Sequence, residues 1–441
     1  MTIIFLTILR FSLVTASEIV VGYYPSWLRS SLPAENIFYE NLSYINHAFV
    51  WPEADGSIST YEDFYYPELI ERTHAAGKKI LLALGGWGQS DGFSPMVASA
   101  TARSNFINNL VDFCQLHGYD GVDIDWEHPS NSLDRANLTV LIYELRNAFD
   151  EVDKSLLLTM AVTASSWIGQ WCDYTTMKNY VGWFGCMTYD FHGGWSDHAG
   201  HNAPLYAPEN DQCGSVHQGV QYLNVTRGIP KEKILIGLPF YGREFISSSL
   251  YGPSSGGGEY LYNEILPKID EGWTYNWDNI SKVPYLTNQE NTRIISFDDT
   301  VSIRIKCEYV KEQAVAGVMI WALGQDVIGN RQPLLETIGR VLNLSSNDGS
   351  EHEIPVSFSL NNYPNPFNSK TMIKYYVIKE GLIKLSVYNI LGDLVSVIVD
   401  NRQKEGWYTF EFDAGDLPSG VYLYKMDSPS YSQINKMAIL R

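Results

Sequence analysis

Eight short apolar runs recur along the first three quarters of the chain, at residues 19–24, 44–50, 79–84, 120–127, 156–162, 184–189, 234–239 and 316–322. Helix-like periodicity separates them, most clearly over 66–76, 105–117 and 133–152. Strands that alternate with helices pair in parallel, because each crossover returns the chain to the same end of the sheet. At this length, eight such units predict a closed (β/α)8 TIM barrel, which takes roughly 250 residues or more. A doubly wound sheet would carry a phosphate-binding glycine loop after its first strand, and Gly22-Tyr23-Tyr24-Pro25 offers none. The seventh and eighth runs stand unusually far apart. The stretch between them, about 245–298, is rich in Tyr, Gly and Ser and too long for a plain loop.

The fourth run is unlike the others. Within Asp120-Gly121-Val122-Asp123-Ile124-Asp125-Trp126-Glu127-His128-Pro129, read as a strand, Asp123, Asp125 and Glu127 share one face. Val122, Ile124 and Trp126 share the other. Like charges about 6–7 Å apart along a strand repel, and they coexist only if some are protonated or hydrogen-bonded. Pro129 ends the ladder, which leaves Glu127 at the C-terminal end of its strand, where barrels of this kind place their chemistry. An arbitrary Asp-x-Asp-x-Glu is more often a calcium site or a solvated acidic edge. Asp120-Gly121, Trp126 and Pro129 make this pattern more specific.

The pattern resembles the Asp-x-x-Asp-x-Asp-x-Glu signature of family 18 glycoside hydrolases, the chitinases, with every acidic position filled. Further segments resemble the same family in the same order: Met187-Thr188-Tyr189-Asp190, Phe191-His192-Gly193-Gly194-Trp195, Gly200-His201-Asn202-Ala203-Pro204-Leu205-Tyr206, Pro239-Phe240-Tyr241-Gly242-Arg243 on the seventh strand, and Met319-Ile320-Trp321 on the eighth. The resemblance implies an α+β insertion over about 245–298 that forms one wall of a deep cleft. It also implies hydrolysis of β-1,4-N-acetylglucosamine linkages with retention of configuration, in which the substrate's own acetamido group attacks C1. It implies Glu127 as general acid and then base, Asp125 as the group that holds and polarises the acetamido, and Asp123 as partner in proton sharing. Tyr189 and Asp190 would steady the acetamido, and Tyr23 would support Asp123. Trp321 is implied as the floor of the central subsite, although a tryptophan ending a barrel strand is otherwise more often core. Trp27, Gly86, Trp87, His128, Met187, Trp195, Tyr241 and Arg243 are implied substrate contacts, with a structural salt bridge the other reading of Arg243. His192 and His201 read as loop-shaping hydrogen bonders. Two positions depart from the family: Ala83 stands where a serine usually supports the innermost aspartate, and His128 where a tyrosine is common.

Charge and composition agree with a neutral polymer as substrate. The chain carries −19, and residues 354–441, with nine basic and eight acidic side chains, leave −20 on the part before them. So acidic a main domain disfavours nucleic acid and anionic membrane. The whole chain's 12 Trp and 29 Tyr suit stacking on sugar rings as well as an ordinary core. No metal or organic cofactor is expected: the five cysteines lack the paired spacing of a zinc site, and their odd number leaves at least one thiol free. Cys172 and Cys213 are the candidates for a bridge.

Residues 1–16 are expected to be a signal peptide, apolar and too short to span a bilayer. The catalytic barrel is expected over 17–342, a polar linker over 343–354 and a small β-sandwich over 355–441. Tyr363-Pro364-Asn365-Pro366-Phe367-Asn368, Val387-Tyr388-Asn389-Ile390-Leu391-Gly392 and Leu417-Pro418-Ser419-Gly420-Val421-Tyr422 resemble the C-terminal sorting domain of the type IX secretion system. A carbohydrate-binding module would show a flat set of exposed aromatics on this tail, and none is evident. The combined expectation is a secreted or cell-surface chitinase, with chitin or its oligomers and the type IX machinery as partners. An endo-β-N-acetylglucosaminidase or peptidoglycan hydrolase is the alternative. A chitin-binding lectin on the same barrel is disfavoured by the presence of Glu127.

Overall fold

A computed structural model of the protein describes residues 18–342, 344, 360–377, 380–404, 406–428 and 432–440. The expected signal peptide and nearly all of the expected linker lie outside the described residues.

Eight parallel strands close into a barrel: β1 (Ile19–Pro25), β2 (Tyr44–Pro52), β3 (Lys79–Gly85), β4 (Gly121–Asp125), β5 (Leu157–Thr163), β6 (Phe184–Met187), β7 (Ile234–Pro239) and β8 (Gly317–Trp321). Each pairs with its neighbours in chain order, and β1 pairs with both β2 and β8 to complete the ring. The strands are apolar on both faces because both are buried. Val122 and Ile124 of β4 face outward into the layer between barrel and helices. Val21, Tyr23, Phe49, Leu81, Ala83, Leu235 and Met319 fill the barrel interior. Asp123 and Asp125 project into that interior and are 2% and 5% exposed.

Local signals fix the chain on either side of β4. The preceding helix, Ala100–His117, is capped by the Ser99 hydroxyl and ends at Gly118, whose φ of 78° is in the left-handed region. The following helix, Ser132–Val152, starts where the Asn131 side chain accepts the N–H groups of Leu133 and Asp134. The Asp134 carboxylate reaches back to the Ser130 N–H at 3.0 Å and to the Ser94 hydroxyl at 2.7 Å. The short segment that carries Glu127 is therefore held at both ends.

An α+β insertion separates β7 from β8. Its five antiparallel strands lie in the order Glu259–Leu261, Tyr241–Ile246, Arg293–Ser296, Val283–Thr287, Thr274–Asp278, with the helix Tyr262–Asp270 between the second and third in chain order. The insertion begins earlier than the sequence suggests. After Pro239 the chain turns at Phe240, whose N–H bonds the Trp321 carbonyl, and enters the new sheet at Tyr241. Tyr241 and Arg243 thus stand on the insertion's first strand rather than on β7.

The C-terminal part is a small β-sandwich. A three-stranded sheet (Leu360–Tyr363, Lys370–Val377, Gly406–Asp413) and a four-stranded sheet (Leu394–Gln403, Gly381–Tyr388, Gly420–Asp427, Ser432–Ile439), both antiparallel, contribute alternate residues to its core. Ile373, Tyr375, Leu385, Val387, Tyr424 and Met426 are buried there. Among the described residues, no helix is long and apolar enough to cross a membrane.

Candidate active site

The acidic strand pairs only as far as Asp125, so Trp126 and Glu127 lie just past its end. Trp126 turns back into the core and stacks on Phe93, with ring centroids 5.1 Å apart and planes 11° from parallel. The Glu127 N–H donates to the Ser90 hydroxyl at 3.0 Å. Gly85 and Gly86 make room for this turn. At φ values of 101° and 80°, a Cβ on Gly85 would meet the Asp125 carbonyl and one on Gly86 the Phe49 ring. The Gly86 N–H is already taken by the Asp125 carbonyl at 2.7 Å, so this residue shapes the strand end.

Three carboxyls in line, Asp123 and Asp125 buried and Glu127 half-buried, must shed charge. Burial raises the Asp123 carboxyl, although the hydroxyls of Tyr23 and Thr159 and the Asn46 side chain favour its ionised form. Asp125 is pushed well above the usual range by burial, then by the charges of Glu127 and Asp123. Its Oδ1 has no hydrogen-bond partner within the protein. Glu127 is raised to about 7 by burial and by the nearby Asp190. At neutral pH Glu127 therefore keeps its proton about half the time, where an exposed glutamate would have lost it.

Asp190 follows the end of β6 with φ of 58°, a conformation that aspartate tolerates better than most residues. The Asn202 side chain accepts its N–H at 2.9 Å. Arg243 grips its carboxylate through Nε and Nη2, both at 2.8 Å, and the Tyr241 hydroxyl donates at 2.9 Å. The remaining Arg243 nitrogen, Nη1, lies 2.9 Å from Glu259. The guanidinium is thus wholly engaged in ion pairs, the salt-bridge role that the sequence left open. Tyr189, half-buried near Asp125, Glu127 and Asp190, has its hydroxyl held well above the usual range by desolvation and by those charges.

The sequence-predicted residues converge through three lines of contact. Trp27 packs on Phe49, Phe49 stacks on Trp321 at 5.7 Å, and Trp321 touches Tyr23, which donates to Asp123. Trp87 approaches His128 at 6.5 Å, and His128 Nε2 lies 3.4 Å from Glu127. Trp195 lies under the Arg243 guanidinium at 4.9 Å, and Arg243 leads through Asp190 and Tyr241 to Tyr189. Met187 and Tyr189 are both half-buried against the barrel-interior cluster. Trp27, Trp87 and Trp195 follow β1, β3 and β6 and are 52%, 81% and 64% exposed. Trp167, after β5 and 78% exposed, belongs to the same rim and was not singled out in the sequence. Apolar faces left in water at one end of a barrel mark a docking surface. All five cysteines are free thiols, so Cys172 and Cys213 are not bridged.

Thr159 is the other residue that sequence reasoning missed. In the barrel register, Ala83 and Thr159 are the two cross-strand neighbours of Asp123, from β3 and β5. The hydroxyl absent at Ala83 is supplied from the opposite side by Thr159, itself fully buried. A lone threonine midway along an apolar strand was the available signal. Thr159→Val keeps the shape and removes a bond to the ionised form of Asp123. It is expected to lower kcat about tenfold, with KM little changed, and to move the acid limb of the pH–rate profile upward. An unchanged acid limb would show that Thr159 has only a packing role.

Comparison with known proteins decides the family. The model for glycosyl hydrolases family 18 matches residues 19–326. This chain is a family 18 glycosyl hydrolase. The model for the secretion system C-terminal sorting domain matches residues 361–440. Chitinase A1 of Niallia circulans is 34% identical over 284 residues, covering 56% of this hydrolase and 40% of that protein. The solved structure of an Ostrinia furnacalis Group IV chitinase in complex with allosamidin is 31% identical, with a TM-score of 0.69, covering 74% of this chain and 99% of that one. A family 18 N-acetylglucosaminidase from Paenibacillus barengoltzii is 32% identical, with a TM-score of 0.67, covering 74% and 99%. The hydrolase spans 40 to 61% of the length of the first curated relatives it matches.

Proposed function

We propose that this hydrolase is a secreted chitinase that cleaves β-1,4 bonds between N-acetylglucosamine units by substrate assistance, with retention. The observation that carries the reading is the Glu127 carboxyl at the barrel mouth, raised to about 7, with the buried, partnerless Asp125 oxygen two residues behind it. Glu127 delivers its proton to the glycosidic oxygen as the bond to C1 breaks. The acetamido carbonyl oxygen bonds to C1 in its place and forms a cyclic oxazolinium. Asp125 accepts the acetamido N–H, orients the carbonyl and offsets the positive charge that develops. Asp123, set among hydroxyls, shares the proton that Asp125 cannot keep once that charge appears. Tyr189 and Asp190 border the space for the acetamido group, with Arg243 as the positioning residue that fixes Asp190. Water then attacks C1 from the face the leaving group vacated, and Glu127, now a carboxylate, takes its proton.

Trp321, with Tyr23 and Phe49 behind it, is rigid enough to serve as a stacking floor. The rim of exposed tryptophans and the insertion wall favour a long linear chain over a branched glycan. The C-terminal domain would direct the protein through the type IX system to the outside of the cell or its surface.

The test is product analysis by NMR early in the digestion of a chitin hexamer. The expected products are oligomers that appear first as the β-anomer. Initial release of the α-anomer would overturn retention. Cleavage of glycoprotein glycans with none of the hexamer would select the endo-β-N-acetylglucosaminidase reading, and single-sugar release from one end would select an exo-acting enzyme.

A further inference from the structure

The loops beyond β6 gather a second group of polar side chains outside the catalytic carboxyls. His192, His198, Asp211 and Cys213 each offer a ligand atom, and these four atoms lie within 4.8 Å of one another. His192 Nε2 is 3.1 Å from His198 Nε2 and 3.2 Å from an Asp211 oxygen, and His198 Nε2 is 3.8 Å from the other Asp211 oxygen. His192 and Asp211 are buried, His198 is half-buried, and Cys213 is at the surface.

The outer nitrogens fix the tautomer of each ring when it is neutral. His192 Nδ1 lies 3.1 Å from the His201 carbonyl, which can only accept, so the proton of the neutral ring is on Nδ1. His198 Nδ1 lies 2.6 Å from the Asp197 carboxylate, with the same consequence. When both rings are neutral, both Nε2 atoms present bare lone pairs to each other and to a carboxylate, so the close approach of these atoms needs either a proton or a cation between them. Three acceptors aimed at one point repel unless something positive lies between them. Carbonyl and carboxylate partners on the far nitrogen are also how proteins fix the tautomer of a metal-ligating histidine.

We infer that His192, His198, Asp211 and Cys213 form a structural zinc site. Two imidazoles, one carboxylate oxygen and one thiolate suit a borderline-soft tetrahedral divalent ion. Bonds of 2.0–2.3 Å in a tetrahedron put ligand atoms about 3.3–3.8 Å apart. The histidine and aspartate atoms already stand near that spacing, and the surface thiol of Cys213, within 4.8 Å of each of them, has to close the rest of the gap. Sequence spacing hides the set, because its members fall on two separate loops rather than in a paired motif. The ion would tie residues 192–198, which carry Trp195 against Arg243, to residues 211–213. It would thereby stiffen one wall of the cleft without touching the reacting sugar.

The experiment uses the full secreted chain, stripped with a chelator and titrated with Zn2+ by calorimetry. One equivalent per chain is expected, with proton release, and a higher melting temperature for the zinc-loaded protein. The Co2+ form should show a thiolate-to-metal charge-transfer band that Cys213→Ser abolishes. His198→Gln and Cys213→Ser, each shown folded by circular dichroism, should weaken zinc binding by more than about tenfold. Sub-stoichiometric uptake, or binding unchanged in either variant, would overturn the site and leave a proton shared between the two histidines. A zinc-dependent melting temperature that survives in Cys213→Ser with undiminished affinity would count against it equally.

Discussion

Glu127→Gln is expected to lower kcat on chitin oligomers by about 10²–10⁴-fold and to leave oligomer affinity within a few-fold of wild type. Gln keeps the size and hydrogen-bonding reach of the acid but has no proton to give to a poor alkoxide leaving group. An aryl glycoside separates the two duties of the residue. Aryloxide leaves with little help, so its first equivalent should be released at close to the wild-type rate. Steady-state turnover stays slow, because the amide cannot take a proton from the attacking water. Near wild-type turnover on the oligomer would remove Glu127 from the acid's role.

The same residue makes a prediction about stability. Its carboxyl is raised from the usual range to about 7 in the folded protein by burial and by Asp190. A raised acid contributes stability that is fully present below its unfolded value, about 4.3, and is lost as pH rises through the folded value near 7. Wild type should therefore lose melting temperature between about pH 4.3 and 7 and hold it above that, while rate is lost as pH rises through about 7. Glu127→Gln should melt close to wild type at pH 5 and above it at pH 9, since the amide never ionises.

What the sequence made legible, and what it did not, divides by range. The barrel could be read because each strand is buried on both faces and each helix on one, a local periodicity that survives in the chain. Asp123, Asp125 and Glu127 stood out because a carboxyl every second residue contradicts an apolar strand unless chemistry requires it. The end of β4 at Asp125 was hidden, since it depends on Gly85 and Gly86 letting the neighbouring strand turn beside it. The position of Arg243 was hidden as well. Pro239-Phe240-Tyr241 continues an extended pattern, and only pairing with Arg293–Ser296 and Glu259–Leu261 moves it into the insertion. Thr159 answers for Ala83 because barrel closure sets them on either side of Asp123, which strand order and register decide together.

Asp125→Asn is expected to lower kcat by about 10²–10³-fold, and unlike Glu127→Gln it should do so whatever the leaving group. The wild-type side chain is 5% exposed, has one oxygen without a partner, and is held protonated by burial and by the carboxyls on either side. The acetamido N–H supplies the missing partner. Oxazolinium formation then puts positive charge beside Asp125 and draws its carboxyl toward ionisation, while Asp123 stands ready with the Tyr23 and Thr159 hydroxyls to share the displaced proton. Asparagine can accept the N–H but cannot become an anion, so it orients the nucleophile and fails to stabilise what forms. The first equivalent of aryloxide, spared in Glu127→Gln, should be slow in Asp125→Asn. A stable thiazoline analogue of the oxazoline should lose affinity for Asp125→Asn far more than the substrate does, because only the analogue resembles the charged intermediate. If the variant released aryloxide at the wild-type rate and bound the thiazoline as tightly, the acetamido group would not be the nucleophile. The barrel would then have to deliver water or a carboxylate to C1 directly.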